Sequence, residues 1–180
     1  MRKLRITELN RLTPEEFKAT GKIEVVIILD NVRSLHNVGS IFRTADAFCI
    51  KSICLCGITA TPPHNEIHKT ALGAEDTVSW EYFEKTEDAV IELIKNNYRI
   101  VGIEQVENSI QLNHFSFNAS EKYAIIFGNE VKGVQQAVIN MCNDCVEIPQ
   151  FGTKHSLNVS VSAGVVLWEM AKKIHPKLNA

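Results

Sequence analysis

The sequence predicts an α/β chain built on a mostly parallel sheet flanked by helices. Residues 25–29 and 123–127 are unbroken apolar runs, rich in β-branched and aromatic side chains. Strands buried on both faces read this way, whereas half-exposed strands alternate. Between such runs lie stretches in which apolar residues recur at helical spacing. The two patterns alternate along the chain, as they do when helices connect parallel strands.

The elements follow in order. Thr13-Pro14-Glu15-Glu16 supplies a capping threonine, a proline at the first helical position and a glutamate placed to complete a capping box. This predicts a short helix ending near Gly21, in an N-terminal extension over residues 1–22 that precedes one domain over 23–180. Residues 25–29 form the first strand. After the loop from Asp30 to His36, the positions Val38, Ile41, Phe42, Ala45 and Phe48 trace one buried helical stripe, with Arg43 nearly opposite. A strand at 52–56, the Pro62-Pro63 loop with a short helix, a strand near 77–82 and a helix over 86–97 come next. Strands at 99–103, 123–127 and 145–148 complete the sheet. A helix around 134–141 separates the last two, and a longer helix over 158–173 closes the chain.

A length of 180 residues suits one domain with a substantial core. With 45% hydrophobic and 22% charged residues, the composition is that of a globular protein. The apolar runs are too short for a bilayer, and Met1-Arg2-Lys3-Leu4-Arg5 is not followed by an apolar signal segment, so a cytoplasmic location and no membrane partner are expected. A net charge of -2 gives no global attraction to nucleic acid, although small basic groups occur at Arg2-Lys3-x-Arg5, Arg33, Arg43, Lys51, Lys69, Lys132 and Lys154. Cys54-x-Cys56 and Cys142-x-x-Cys145 have metal-ligand spacing but no flanking glycine-rich knuckle, and reduced, buried thiols are the simpler expectation. His64 and His68, four apart with no third ligand near them, read as surface residues.

In an open parallel sheet, ligands collect beyond the carboxyl ends of the strands. Three polar loops there are unusual. The first places Asn37 at a helix start and Arg43 on its outward face, a pattern that capping and solvation alone can also explain. The second, from Gly128 through Asn129 and Glu130 to Gly133, brackets a carboxylate with glycines, which suits a tight turn against a ligand; a structural turn alone also explains the glycines, though not the Asn-Glu pair. The third runs from Ile148-Pro149 through His155, Ser156, Leu157 and Asn158 into the last helix. Capping accounts for one of its polar residues and leaves the others unexplained. Neither the dinucleotide G-x-G-x-x-G pattern nor P-loop spacing is present, which counts against a nucleotide-dependent α/β enzyme.

Taken in order, these three loops resemble the three motifs of the SpoU/TrmH family of RNA methyltransferases, within the SPOUT superfamily. The resemblance implies a deep C-terminal trefoil knot, an exception to the rule that chains do not knot. It further implies S-adenosylmethionine (SAM) as cofactor, with Gly128, Ile148 and Leu157 as its contacts, and methyl transfer to a ribose 2'-hydroxyl of RNA. Arg43 is then the central catalytic residue, assisted by Asn37, Glu130, Ser156 and Asn158. A guanidinium keeps its proton at neutral pH, so gripping a phosphate and stabilising alkoxide charge suits Arg43 better than acting as a base. Glu130 reads as an organiser of Asn37 or Arg43 rather than a metal ligand, since methyl transfer from a sulfonium needs no metal. His155 has no role in the family pattern and is expected to cover the loop.

The family resemblance also implies a homodimer and no DNA partner. On the last helix Ser160, Gly164, Leu167 and Ala171 share a face open to another element, of this chain or of a second copy, while Val159, Ala163, Val166, Met170 and Ile174 form the stripe expected on the sheet. Transfer RNA is the first expected substrate, with guanosine 18 of the D-loop ahead of the wobble position, and ribosomal RNA as the alternative. A module that binds RNA without turnover is the reading from a different class.

Overall fold

A computed structural model describes residues 1–175 of the 180. Helix α1 (Pro14–Ala19) begins at Thr13, whose hydroxyl accepts from Glu16 N while the Glu16 carboxylate accepts from Thr13 N, the capping box written in the sequence. Phe17 anchors this helix in the core.

Among the described residues seven strands follow: β1 (Ile23–Asp30), β2 (Ile50–Cys56), β3 (Ser79–Phe83), β4 (Tyr98–Ile103), β5 (Ile110–Gln111), β6 (Lys122–Gly128) and β7 (Asp144–Glu147). They form one sheet in the order β3-β2-β1-β6-β4-β7-β5, and their pairings are parallel. The connecting helices are α2 (Leu35–Ala47), α3 (Asn65–Ala71), α4 (Thr86–Lys95), α5 (Gln136–Ile139) and α6 (Val159–Ile174). Strand β1 explains its own sequence. Val25, Ile27 and Leu29 pack into one cluster with the α2 stripe and with Ala163, Val166 and Met170 of α6. Val26 and Ile28 pack into a second cluster with Ala89, Val90 and Leu93 of α4. Each such side chain contributes about 1.5–3 kcal/mol relative to exposure, so a polar residue on either face of β1 carries a penalty.

The chain path positions the site. From β1 it steps outward through β2 to β3, then crosses to β4, and β6 inserts between β1 and β4 before β7 pairs beyond β4. The direction of winding therefore reverses around β6, and the loops after β1, β4, β6 and β7 converge at the carboxyl end of the sheet, where a switch point forms a crevice.

Four expectations are corrected. Helix α5 is four residues long rather than spanning 134–141, because Gln135 N donates to the Asp30 carboxylate at 2.8 Å and holds residues 134–135 out of the helix. Strand β5 was not anticipated; two residues carry no periodicity. Asn37 is not a cap: Ser34 caps α2, and Asn37 lies three residues inside it, 8% exposed. On α6, Leu167 and Ala171 are buried within the chain, and the open face is instead Val161, Val165 and Trp168.

The five cysteines are free thiols, with Cys54 and Cys56 buried and Cys49, Cys142 and Cys145 half-buried. Burial pushes Cys54 and Cys142 up to about 12, which keeps both protonated and unreactive at neutral pH. The exposed His64 caps α3, its Nδ1 accepting from Glu66 N, and the exposed His68 pairs with Glu75 at 2.5 Å. Among the described residues there is no group of three or more His, Cys, Asp or Glu side chains arranged to hold a metal, and no helix long and apolar enough to cross a membrane.

Candidate active site

A cavity of about 530 Å³ opens beyond the carboxyl ends of β4, β6 and β7. The turn after β6 forms one wall. Asn129 N donates to Gly133 O at 3.1 Å and Gly133 N returns to Asn129 O at 2.9 Å. The Asn129 side chain closes the turn from within, its Oδ1 accepting from Val131 N and Lys132 N and its Nδ2 donating to Asn31 O at 2.7 Å. Both glycines are dictated by space. A Cβ on Gly128 would stand 2.2 Å from the Gly133 carbonyl carbon and from Val134 N, and Gly133 has φ of +68 with Glu104 packed against it.

Glu104, at the end of β4, was not singled out in the sequence. Its Oε2 accepts from Val134 N at 2.9 Å and its Oε1 from Gln105 N at 2.9 Å, so this carboxylate ties the loops after β4 and β6 together at the cavity wall. Asp30 was missed as well. It is fully buried at the end of β1, where Oδ1 accepts from Asn31 Nδ2 (2.8 Å), Thr86 Oγ1 (2.6 Å) and Gln135 Nε2 (2.7 Å), and Oδ2 accepts from Gln135 N. The sequence signal for it was a charged residue closing an otherwise apolar strand.

The first, second and third polar loops meet through one hydrogen-bonded chain. Glu130 accepts from Arg33 N, Ser34 N and Asn37 Nδ2, each at 3.0 Å. Asn37 Oδ1 in turn accepts from Asn158 Nδ2 at 3.1 Å, and Asn158 Oδ1 accepts from Ser160 N and Val161 N to cap α6. The direction of this chain is forced. An ionised carboxylate only accepts, so Asn37 must turn its amide nitrogen to Glu130 and its oxygen to Asn158, which leaves the Asn158 oxygen for the helix amides. Glu130 thereby sets the orientation of both asparagines, and of the two residues it was expected to organise, Asn37 and Arg43, it is hydrogen-bonded to Asn37.

Burial pushes Glu130 up, but the amides of Arg33 and Ser34 with the Asn37 side chain outweigh it, and the net shift is below the ordinary carboxylate value. A depressed folded-state value contributes stability above the unfolded value and loses it as pH falls through the folded one. Glu130→Gln should therefore lower the thermal midpoint at pH 7, and the gap to the parent chain should close on acidification to below the ordinary carboxylate range. A gap that stays constant across that titration would show that the loss is not one of charge.

Gly128, Glu130, Ile148, Ser156, Leu157 and Asn158 all line the cavity, and Asn37 joins it through its two hydrogen bonds. Arg43 does not line it; it stands exposed on α2, two turns beyond Asn37. His155 is exposed and covers the cavity rim, its carbonyl accepting from Gln105 Nε2 at 3.0 Å. The lining is chemically divided. Ile103, Phe127, Ile148, Leu157 and Val159 offer apolar surface, while Glu104, Glu130 and Glu147 supply carboxylates. That combination accepts a ligand with a planar apolar part and a cationic part, in a volume ordinary for a cofactor site.

The model of the SpoU rRNA methylase family matches residues 24–168. The 23S rRNA (guanosine-2'-O-)-methyltransferase RlmB of Neisseria meningitidis is 32% identical over 154 residues, 83% of this chain and 58% of that protein. This chain spans about three fifths of the length of the curated relatives it matches. Among solved structures, the AdoMet-bound rRNA methyltransferase of Sinorhizobium meliloti superimposes with a TM-score of 0.77 at 26% identity, covering 90% of this chain and 60% of that one. The A. aeolicus TrmH/SpoU tRNA modifying enzyme gives a TM-score of 0.78 at 21% identity, covering 89% and 81%.

Proposed function

Because the chain belongs to the SpoU rRNA methylase family, we propose that it methylates a ribose 2'-hydroxyl of RNA with SAM as the cofactor. The observation that carries the reading is the acid-and-apolar cavity walled by the Gly128–Gly133 turn, Ile148 and Ser156 to Asn158, into which the Glu130, Asn37 and Asn158 chain leads. Gly128, Ile148 and Leu157 would hold the adenosine part through backbone groups and apolar contact, and the carboxylates of the lining suit a sulfonium and an ammonium. When bound, SAM supplies an electrophilic methyl group.

The protein side of the reaction follows from the residues present. Asn37, Ser156 and Asn158 orient the incoming ribose, with Glu130 fixing the two amides. Arg43 grips the phosphate beside that ribose and stabilises the charge developing on its oxygen, with the proton passing to that phosphate or to water. Titration calorimetry with SAM, combined with labelled-methyl incorporation into total RNA and mapping of the modified ribose, tests the whole scheme. Absence of SAM binding ends it; SAM binding without incorporation into any RNA favours a module that binds RNA without turnover. Transfer RNA is our first substrate, at guanosine 18 and then the wobble ribose. Relatives are named for both tRNA and rRNA, so ribosomal RNA belongs in the same assay.

The same proposal includes one domain over 23–180, of which 176–180 lie outside the described residues, and the trefoil knot. Gln105 Nε2 to His155 O and Leu112 N to Glu147 O tie the loop after β4 to the segment that passes it, which supports threading there. It also includes a cytoplasmic homodimer. Val161, Val165 and Trp168 form one exposed face of α6, extended by Phe48 at 6.1 Å from the Trp168 ring. Val165→Asp should convert the dimer to a monomer in sedimentation, since a charge at the centre of an apolar interface is left unpaired. A dimer that persists would place the interface elsewhere.

A further inference from the structure

Phe151 is 97% exposed, the most exposed aromatic ring among the described residues, in the loop between β7 and α6 beside the cavity. Gln105 Nε2 fixes the His155 carbonyl at 3.0 Å. Phe151 also lines a second, smaller recess of about 290 Å³, together with Gln111 and Lys154. Gln105, Glu147, Gln150 and His155 line both this recess and the larger cavity, so the ring stands at the seam between the two. The recess walls carry three side-chain amides, a carboxylate, a cation and the His155 imidazole, with apolar surface from Ile148, Pro149 and the Phe151 ring.

We propose that Phe151 is the stacking platform for a nucleobase of the RNA strand whose ribose is presented to the main cavity, with Lys154 taking a neighbouring phosphate. The proposal rests on the RNA-methylating reading given above. Three features select an unpaired base as the occupant. A planar ring open to solvent offers the stacking surface that splayed-out bases use in single-stranded recognition. Amides and a carboxylate, with both donors and acceptors, match the edge of a base rather than an aliphatic group. A cation three residues from the ring fits the base-to-phosphate alternation of a strand. A second copy of the chain is a poorer occupant, because the ring's chain neighbours Gln150, Gly152, Thr153 and Lys154 add no apolar side chain to it, whereas a helical face of three exposed apolar residues lies on α6.

The test compares Phe151→Ala, Phe151→Leu, Phe151→Tyr and Phe151→Trp in methyl incorporation against RNA concentration, with SAM affinity measured calorimetrically. Phe151→Ala and Phe151→Leu should raise KM for RNA about tenfold or more, the loss of one base–aromatic stack, with SAM affinity within about twofold. The tyrosine and tryptophan variants should restore the parent KM, and the emission of Phe151→Trp should be quenched by RNA beyond that of the parent. An unchanged KM in Phe151→Ala, rescue by leucine equal to that by tryptophan, or a change in sedimentation would overturn the platform. A parent chain that transfers no methyl to any RNA while Phe151→Trp is quenched would remove the methylation reading and keep the platform; an active parent indifferent to Phe151→Ala does the reverse.

Discussion

Arg43→Lys should lower methyl transfer to RNA by about 100-fold or more, the order seen when one preorganised donor to a developing oxyanion is removed, while SAM affinity stays within about twofold. The two halves of that expectation come from different observations. Arg43 projects from α2 on the side opposite Ile41, Phe42 and Ala45, and it does not line the cavity, so its loss takes nothing from the cofactor walls. It lies six residues after Asn37, about 9 Å along the helix axis at 1.5 Å per residue, on the same rigid element that the Glu130 carboxylate fastens at its N-terminal end. A lysine keeps the charge but loses the planar fork that holds two phosphate oxygens at once. Single-turnover rates and calorimetry on the same preparation separate the effects. Equal loss of SAM binding and turnover would refute the role, as would full activity in the lysine variant.

The sequence made the scaffold legible because burial on two faces leaves an unmistakable run, as in β1, and because the α2 stripe obeys one period. It also placed two loops that line the cavity, after β6 and after β7, and the loop after β1 that is hydrogen-bonded to them. What it could not show is which polar atoms meet. Asn37 looked like a cap because a polar residue near a helix start is ordinary, yet Ser34 does that work, and the Asn37 partners lie 93 and 121 residues away. Glu104 and Asp30 were invisible for the same reason: beyond one adjacent donor each, their partners come from segments 30 to 105 residues distant, and a lone acidic residue at a strand end has many meanings. On α6 the apolar stripe took the core as its period implies, but the wheel could not show that Leu167 and Ala171 of the neighbouring face would be buried within the chain as well.

Asp30 carries the second large effect. Asp30→Ala should lower the thermal midpoint by about 10 °C, equivalent to about 3 kcal/mol in a chain of this size. The reasoning is one of unsatisfied donors. Removing the carboxylate leaves Asn31 Nδ2, Thr86 Oγ1, Gln135 N and Gln135 Nε2 without this acceptor, and a buried donor without a partner costs about 1–3 kcal/mol. Asp30→Asn keeps the volume but turns an amide N–H toward those donors, so it should recover less than half of the loss. Thr86→Val removes a single donor together with its bond and should cost far less than either. The effect should also reach the cavity. Asp30 pairs in register with Gly128, and Asn129 is fastened to Asn31 O, so loosening the end of β1 loosens the turn that forms the cofactor wall. At a temperature where Asp30→Ala remains folded by circular dichroism, its SAM affinity should still fall severalfold. A variant that loses stability but binds SAM as the parent does would show that the turn is held by Glu104 and Asn129 alone.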